Sequence, residues 1–137
     1  ARKEKLSKEV MEKRIKNTLD EYLQLKDVNE VAETLRELDS RECFPYVAFS
    51  AMEQAFDRTS SKDDLIQLLT TLVERRVLRG EEVEAGVDQH LEFLEDCAID
   101  VPASPAVTAA FVAAGLLAGY VSWAHLREAC ERFMLET

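Results

Sequence analysis

Glycine and proline are scarce in this chain, 4 and 3 among 137 residues. An all-β or loop-rich domain needs more of both at its turns, so the scarcity points to helices. The three cysteines, Cys43, Cys97 and Cys130, are odd in number and far apart. They form neither a disulfide framework nor a C-x-x-C zinc pattern, and a reducing, cytoplasmic compartment is the expectation. Basic side chains are missing over a long interval: no Lys or Arg occurs from Glu81 to Leu126. The whole chain carries 17 Lys+Arg against 27 Asp+Glu, a formal charge of −10. That balance argues against generic binding to nucleic acid or to an anionic membrane, since both need a basic footprint. A strongly apolar run of about 20 residues, the length of a membrane helix, is also lacking. The nearest stretch, Val101 to Ala124, is uncharged but holds Pro102, Pro105, Gly115 and Gly119, and its apolar part is mostly alanine. It reads as a buried helix. The chain starts at Ala1 rather than methionine, so a piece of a longer protein is expected.

What is present is enough for one domain. Apolar residues make up 47% of the chain and charged residues 32%. A chain of this length buries roughly 68% of its unfolded surface. Residues 1–9 form a basic lead-in and residues 10–137 a single helical domain. The first 16 residues hold seven basic side chains and three acids, and two readings stay open for them. One is a solvated helical entry, the other an arm that binds RNA or a partner.

Seven helices follow from periodicity and punctuation. The first carries Val10, Met11, Ile15, Leu19, Tyr22 and Leu23 at three- and four-residue spacing. Asp27-Val-Asn-Glu30 has capping-box form and opens the second, whose face is Val28, Val31, Leu35 and Leu38. Pro45 suits the first turn of a third, with Val47, Met52, Ala55 and Phe56 on its apolar side. Thr59-Ser-Ser61 breaks that helix, and a serine cap opens a fourth with Leu65, Leu68, Leu69, Leu72 and Val73. Gly80 closes the unit and a fifth helix runs from about Glu81 to Asp96, with Gly86 as an interior weak point. Cys97 to Ser104 is a loop, Ser104-Pro105 opens a sixth helix that stops at Gly119, and Ser122 caps a seventh with Leu126, Cys130 and Phe133 inward. The hairpins near residues 7–38, 45–76 and 82–118 recur every 37 or 38 residues. That period predicts an all-α fold, a HEAT-like stack of about three antiparallel hairpins plus a C-terminal helix.

Catalytic signatures are missing. His90 lacks a Glu three residues before it, and His125 stands among Trp123, Ala124 and Leu126, so neither histidine makes a metal site. The chain has no G-x-S-x-G elbow and no Gly-rich phosphate loop. Gly115-Leu-Leu-Ala-Gly119 fits G-x-x-x-G, which in a soluble alanine-rich helix reads as close packing and a helix stop. A structural dimer through that helix is a further reading left open. A binding module without enzyme activity, cofactor or metal is the expectation.

Charge is unevenly placed. Residues 1–80 hold 15 basic and 16 acidic side chains, whereas residues 81–126 hold eight acids and no base. Glu81, Glu84, Asp88, Glu92 and Glu95 fall within about 80° of helical arc, opposite Val83, Val87, Phe93 and Leu94. Like charges at i,i+4 weaken a helix, and Glu95 and Asp96 at its C-terminal end oppose the macrodipole. An outer acidic stripe of this kind is either a solvated face or a dock for a cationic surface.

Three segments also carry a family resemblance. Glu21-Tyr-Leu-Gln-Leu-Lys-Asp27-Val-Asn-Glu30, running on to Leu35 and Glu37-Leu38, is similar to the opening hairpin of MA-3 domains. Glu95-Asp96-Cys-Ala-Ile-Asp100-Val-Pro102 resembles their acidic I-D-x-P loop. Phe111-Val112, Ala118-Gly119, Ser122 and Leu126-Arg127-Glu128 resemble their closing helix-turn-helix. The likeness covers roughly residues 10–133. It implies a HEAT-like module of translation-initiation scaffolds or translation repressors, and the stretch Phe44 to Leu72 is closer to the scaffold's unit. It further implies a partner, the DEAD-box RNA helicase eukaryotic initiation factor 4A. The contacts it implies are Asp96 and Asp100, with Glu95 beside them, and the acidic stripe adds Glu92 and Asp88. Residues 106–118 depart from the family pattern by lacking charge.

Overall fold

The computed structural model describes residues 7–38, 41–92, 104–122, 124, 127 and 128. Its long helices are α1 (Lys8–Leu25), α2 (Val28–Glu37), α3 (Pro45–Asp57), α4 (Lys62–Glu74), α5 (Gly80–Leu91) and α6 (Ser104–Ala118). Two 3-10 turns, Arg41–Cys43 and Thr59–Ser61, precede α3 and α4. No strand occurs among the described residues, and the fold is all-α.

The first hairpin follows its sequence closely. The Ser7 hydroxyl accepts a hydrogen bond from the Val10 N–H and starts α1. Met11, Ile15, Leu19 and Tyr22 are buried, while Val10 lies on the flank at 43% exposure. Lys26 ends the helix in the left-handed region (φ 56°), and its ammonium pairs with Asp64 of α4 at 2.7 Å. Asp27 caps α2 by accepting from the Asn29 N–H at 3.0 Å, and Val31, Ala32 and Leu35 face inward.

Pro45 is the first residue of α3, as its missing N–H permits. Sequence periodicity gave this helix one apolar side, but its burial extends well beyond that: Val47, Ala48, Ser50, Ala51, Met52, Gln54, Ala55 and Phe56 are all buried. α3 is the central post, touching α1, α4, α5 and α6. The small side chains Ala48, Ser50, Ala51 and Ala55 let neighbours approach from several sides. Each fully buried Val or Met contributes roughly 1.5–3 kcal/mol of transfer free energy on this post.

α1 packs on α2 and α3 packs on α4, but the third pair closes through the post. α5 makes its most extensive interface with α3, and α6 rests on α3 and α4. Gly86 explains the close fit of α5. A Cβ there would fall on the Pro45 carbonyl oxygen and beside Ala48 Cβ. The interior glycine that weakened the helix prediction is therefore what lets α5 seat.

Three start signals differ from their sequence reading. Ser61 has helical backbone angles (φ −90°, ψ −4°) and makes no side-chain cap, so Asp63 and Asp64 in the first turn supply the favourable charge. Gly80 is the first residue of α5 and not a stop before the helix, and an added Cβ there would fall 2.6 Å from the Tyr120 carbonyl oxygen. Ser104 lies inside α6 rather than ahead of it. The predicted stop of α6 is found at Gly119, whose φ is +85°. The Gly115 carbonyl there accepts from the N–H groups of Gly119, Tyr120 and Val121. Val107, Thr108, Phe111 and Val112 bury one side of α6. No helix among the described residues is long and apolar enough to cross a membrane. Of the seventh helix, Ala124, Arg127 and Glu128 are helical, and Leu126, Cys130 and Phe133 lie outside the described residues.

Candidate docking face on the fifth helix

α5 begins where Arg79 leaves an extended backbone (φ −97°, ψ 148°). The Glu82 carboxylate reaches back and accepts the Arg79 N–H at 2.8 Å. It also accepts two bonds from Arg41, from Nη2 at 2.6 Å and from Nε at 3.2 Å. Arg41 is fixed further by donating from Nη2 to the Val77 carbonyl and by lying over the Phe44 ring, 4.6 Å from its centroid. This fork ties the 3-10 turn after α2 to the start of α5. Glu82 is thus structural, and only 12% of its side chain is exposed.

The acidic stripe is not uniform. Glu81 is exposed in the first turn, where negative charge suits the helix dipole. Glu84 is half-buried and accepts the Ser122 N–H at 2.8 Å, which ties α5 to the segment after α6. Asp88 is half-buried and already engaged within the fold. Glu92 is exposed at the C-cap of α5, its N–H directed at the Asp88 carbonyl. Of the five candidate docking residues, Asp88 and Glu92 therefore share the outer side of α5. Glu95, Asp96 and Asp100 lie outside the described residues. The sequence reading of uncompensated repulsion needs correction at Glu84, whose charge has a backbone donor.

The inner side of α5 presents Val83, Gly86, Val87 and His90 to α3. Val83 and Val87 stand on the apolar side that helical period assigns them, and His90 joins them. It is only 2% exposed, between Phe49 (ring centroids 4.9 Å apart) and Phe56 (4.5 Å, edge-on). Burial lowers its pKa below the ordinary histidine value, and among the described residues its Nδ1 has no hydrogen-bond partner. At 100° per residue, residue 90 falls within the arc of Val83, Val87, Phe93 and Leu94, about 160° from the centre of the acidic stripe, so a signal existed. Its i−3 and i−7 neighbours are Val87 and Val83.

No group of three or more His, Cys, Asp or Glu side chains is disposed to hold a metal ion among the described residues. Cys43 is buried as a free thiol whose pKa is pushed up mainly by desolvation. Cys97, Cys130 and His125 lie outside the described residues.

Comparison with known proteins places this architecture. The family described as the MA3 domain matches residues 11–122. Human eukaryotic translation initiation factor 4 gamma 3 is 30% identical over 98 residues, 71% of this chain and 6% of that protein. Human programmed cell death protein 4 is 30% identical over 108 residues, 79% of this chain and 23% of its own length. The Arabidopsis thaliana MA3 domain-containing translation regulatory factor 1 is 28% identical over 105 residues, 77% of this chain and 15% of its own. This chain thus corresponds to less than a quarter of each of these relatives. With the helical order, the Gly119 stop and the family match in agreement, the chain belongs to the MA3 domain family.

Proposed function

We propose that this MA3 domain is a non-catalytic docking module of a cytoplasmic translation-initiation scaffold, and that it binds the DEAD-box RNA helicase eukaryotic initiation factor 4A. The carrying observation is the sorting of acids along α5. Glu82 and Glu84 are held by Arg41, Arg79 and Ser122, whereas Glu92 stands exposed where the helix runs into the acidic segment. In this reading Asp96 and Asp100 make the principal contacts, with Glu95 and Glu92 flanking and Asp88 at the inner edge. Their partners are basic side chains of the helicase that otherwise face RNA. Charge complementarity of this kind raises the association rate and fixes orientation more than it adds affinity.

The test is Asp96→Ala/Asp100→Ala, with helicase affinity measured beside a thermal melt. Loss of about 2–5 kcal/mol is expected if either carboxylate is desolvated against Arg, and under about 1 kcal/mol at a wet rim. Unchanged affinity with an intact fold would sink the proposal. Binding should also weaken from about 50 to 200 mM salt, as the Debye length falls from roughly 14 to roughly 7 Å.

The equal 30% identity to programmed cell death protein 4 favours a second reading, a repressor using the same contact to block RNA engagement. RNA-stimulated ATPase of the helicase separates them. The scaffold raises or preserves it, and the repressor suppresses it.

A further inference from the structure

A second surface of opposite charge lies at the other end of α5. A cavity of about 280 Å³ opens between the C-terminal end of α2, the Arg41–Cys43 turn and the connection from α4 to α5. Leu38, Phe44 and Val77 line its wall, and Arg36, Arg41 and Arg76 surround it. Arg41 is neutralised by Glu82, as described above. Arg36 and Arg76 are exposed, and among the described residues neither side chain has a hydrogen-bond or ion-pair partner. Two unpartnered guanidinium groups at one small cavity are notable in a chain with ten surplus negative charges.

The placement of Arg76 adds weight. It follows the last turn of α4 in the left-handed region (φ 60°), with the Val77 and Leu78 N–H groups returning to the Leu72 carbonyl. Glycine is the ordinary residue there, because a side chain in this conformation is strained. Lys26 stands in the same conformation and has a visible partner in Asp64. Arg76 keeps the conformational cost without a partner inside the fold.

We propose that this cavity binds an acidic peptide segment of a partner protein, one or two carboxylates seated on Arg36 and Arg76 beside a small apolar side chain on the Leu38/Val77 wall. Arg matches a carboxylate in a planar, two-pronged geometry, and the volume suits one side chain rather than a folded element. A continuous polyanion such as RNA fits less well. Glu81 stands exposed at the start of α5, and the acidic side of that helix extends from it for about 15 Å. A short peptide with few charges avoids that repulsion. The surface is distinct from the helicase dock, which lies toward the far end of α5, so the two proposals stand or fall separately.

The experiment uses the 137-residue chain and a fluorescein-labelled peptide of sequence Gly-Glu-Asp-Leu-Glu-Gly, its Gln/Asn counterpart, and a six-nucleotide oligouridylate. Anisotropy is read for the wild type, Arg36→Gln/Arg76→Gln and Arg76→Gly, with amide chemical shifts to locate the site. The expected result is binding of the acidic peptide alone, with shifts at Arg36, Arg76 and Val77. Both variants should weaken it at least tenfold. Arg76→Gly should leave the melting temperature unchanged or raised, which separates lost binding from lost folding. Equal binding of the neutral peptide, tighter binding of oligouridylate, shifts confined to other residues, or no binding to the wild type would each overturn the proposal.

Discussion

The Glu84 carboxylate accepts the Ser122 backbone N–H at 2.8 Å, joining the middle of α5 to the segment after α6 across 38 residues of sequence. A charge that the helical wheel assigns to an outer stripe is therefore part of the framework. It satisfies a backbone donor in the segment that follows the Gly119 turn.

Replacing Glu84 with Ala should thus lower stability by about 1 kcal/mol, since a charge-assisted bond at a half-exposed site is worth less than a buried one. Helicase affinity should stay within twofold at temperatures where the variant is folded. Chemical denaturation and binding isotherms on the same sample check both parts. A large loss of affinity without loss of stability would move Glu84 from framework to dock.

Gly86→Ala tests the close approach of α5 to α3. Helix propensity alone predicts a gain of about 1 kcal/mol. The added methyl, however, would collide with the Pro45 carbonyl oxygen and Ala48. Backbone rather than a flexible side chain must move, so a net loss of about 2–3 kcal/mol is expected in a denaturant melt. A stabilised variant would show that the two helices sit farther apart.

His90 should make folding sensitive to mild acid. Burial between Phe49 and Phe56 lowers its folded pKa below 6.5, the ordinary value, so between those two values the unfolded chain binds more protons. Stability is then fully present above pH 6.5 and declines as pH falls toward the lowered folded pKa, by at most about 1.4 kcal/mol per pH unit. Denaturant midpoints at pH 7.5, 6.5 and 5.5 measure it. In a His125→Gln background, the additional change His90→Leu should flatten that slope. Persistence of the full slope would place its origin in other groups.

Much of the framework was legible because its signals are local. Asp27, Pro45 and Gly119 act on backbone within a few residues, and the stripes Met11-Ile15-Leu19 and Leu65-Leu68-Leu72 follow from helical period alone. Ser61 misled because a preceding 3-10 turn already gives it helical angles. The acids of α5 were legible as a group but not by role. Glu82, Glu84, Asp88 and Glu92 have similar chemistry, and only Arg41 and Ser122, distant in sequence, distinguish framework from surface.

The sequence by itself determined an all-α domain, the order of its helices, and an acidic surplus concentrated after residue 80, because periodicity, caps and charge are properties of neighbours along the chain. Tertiary structure alone decided that α3 is the buried post, that Gly86 is the seat of α5, and that His90 is a core residue. It also decided which carboxylates are held and which arginines are left open around a cavity. Those outcomes depend on what lies across a few ångströms of space between distant residues, and helical period carries no record of that distance.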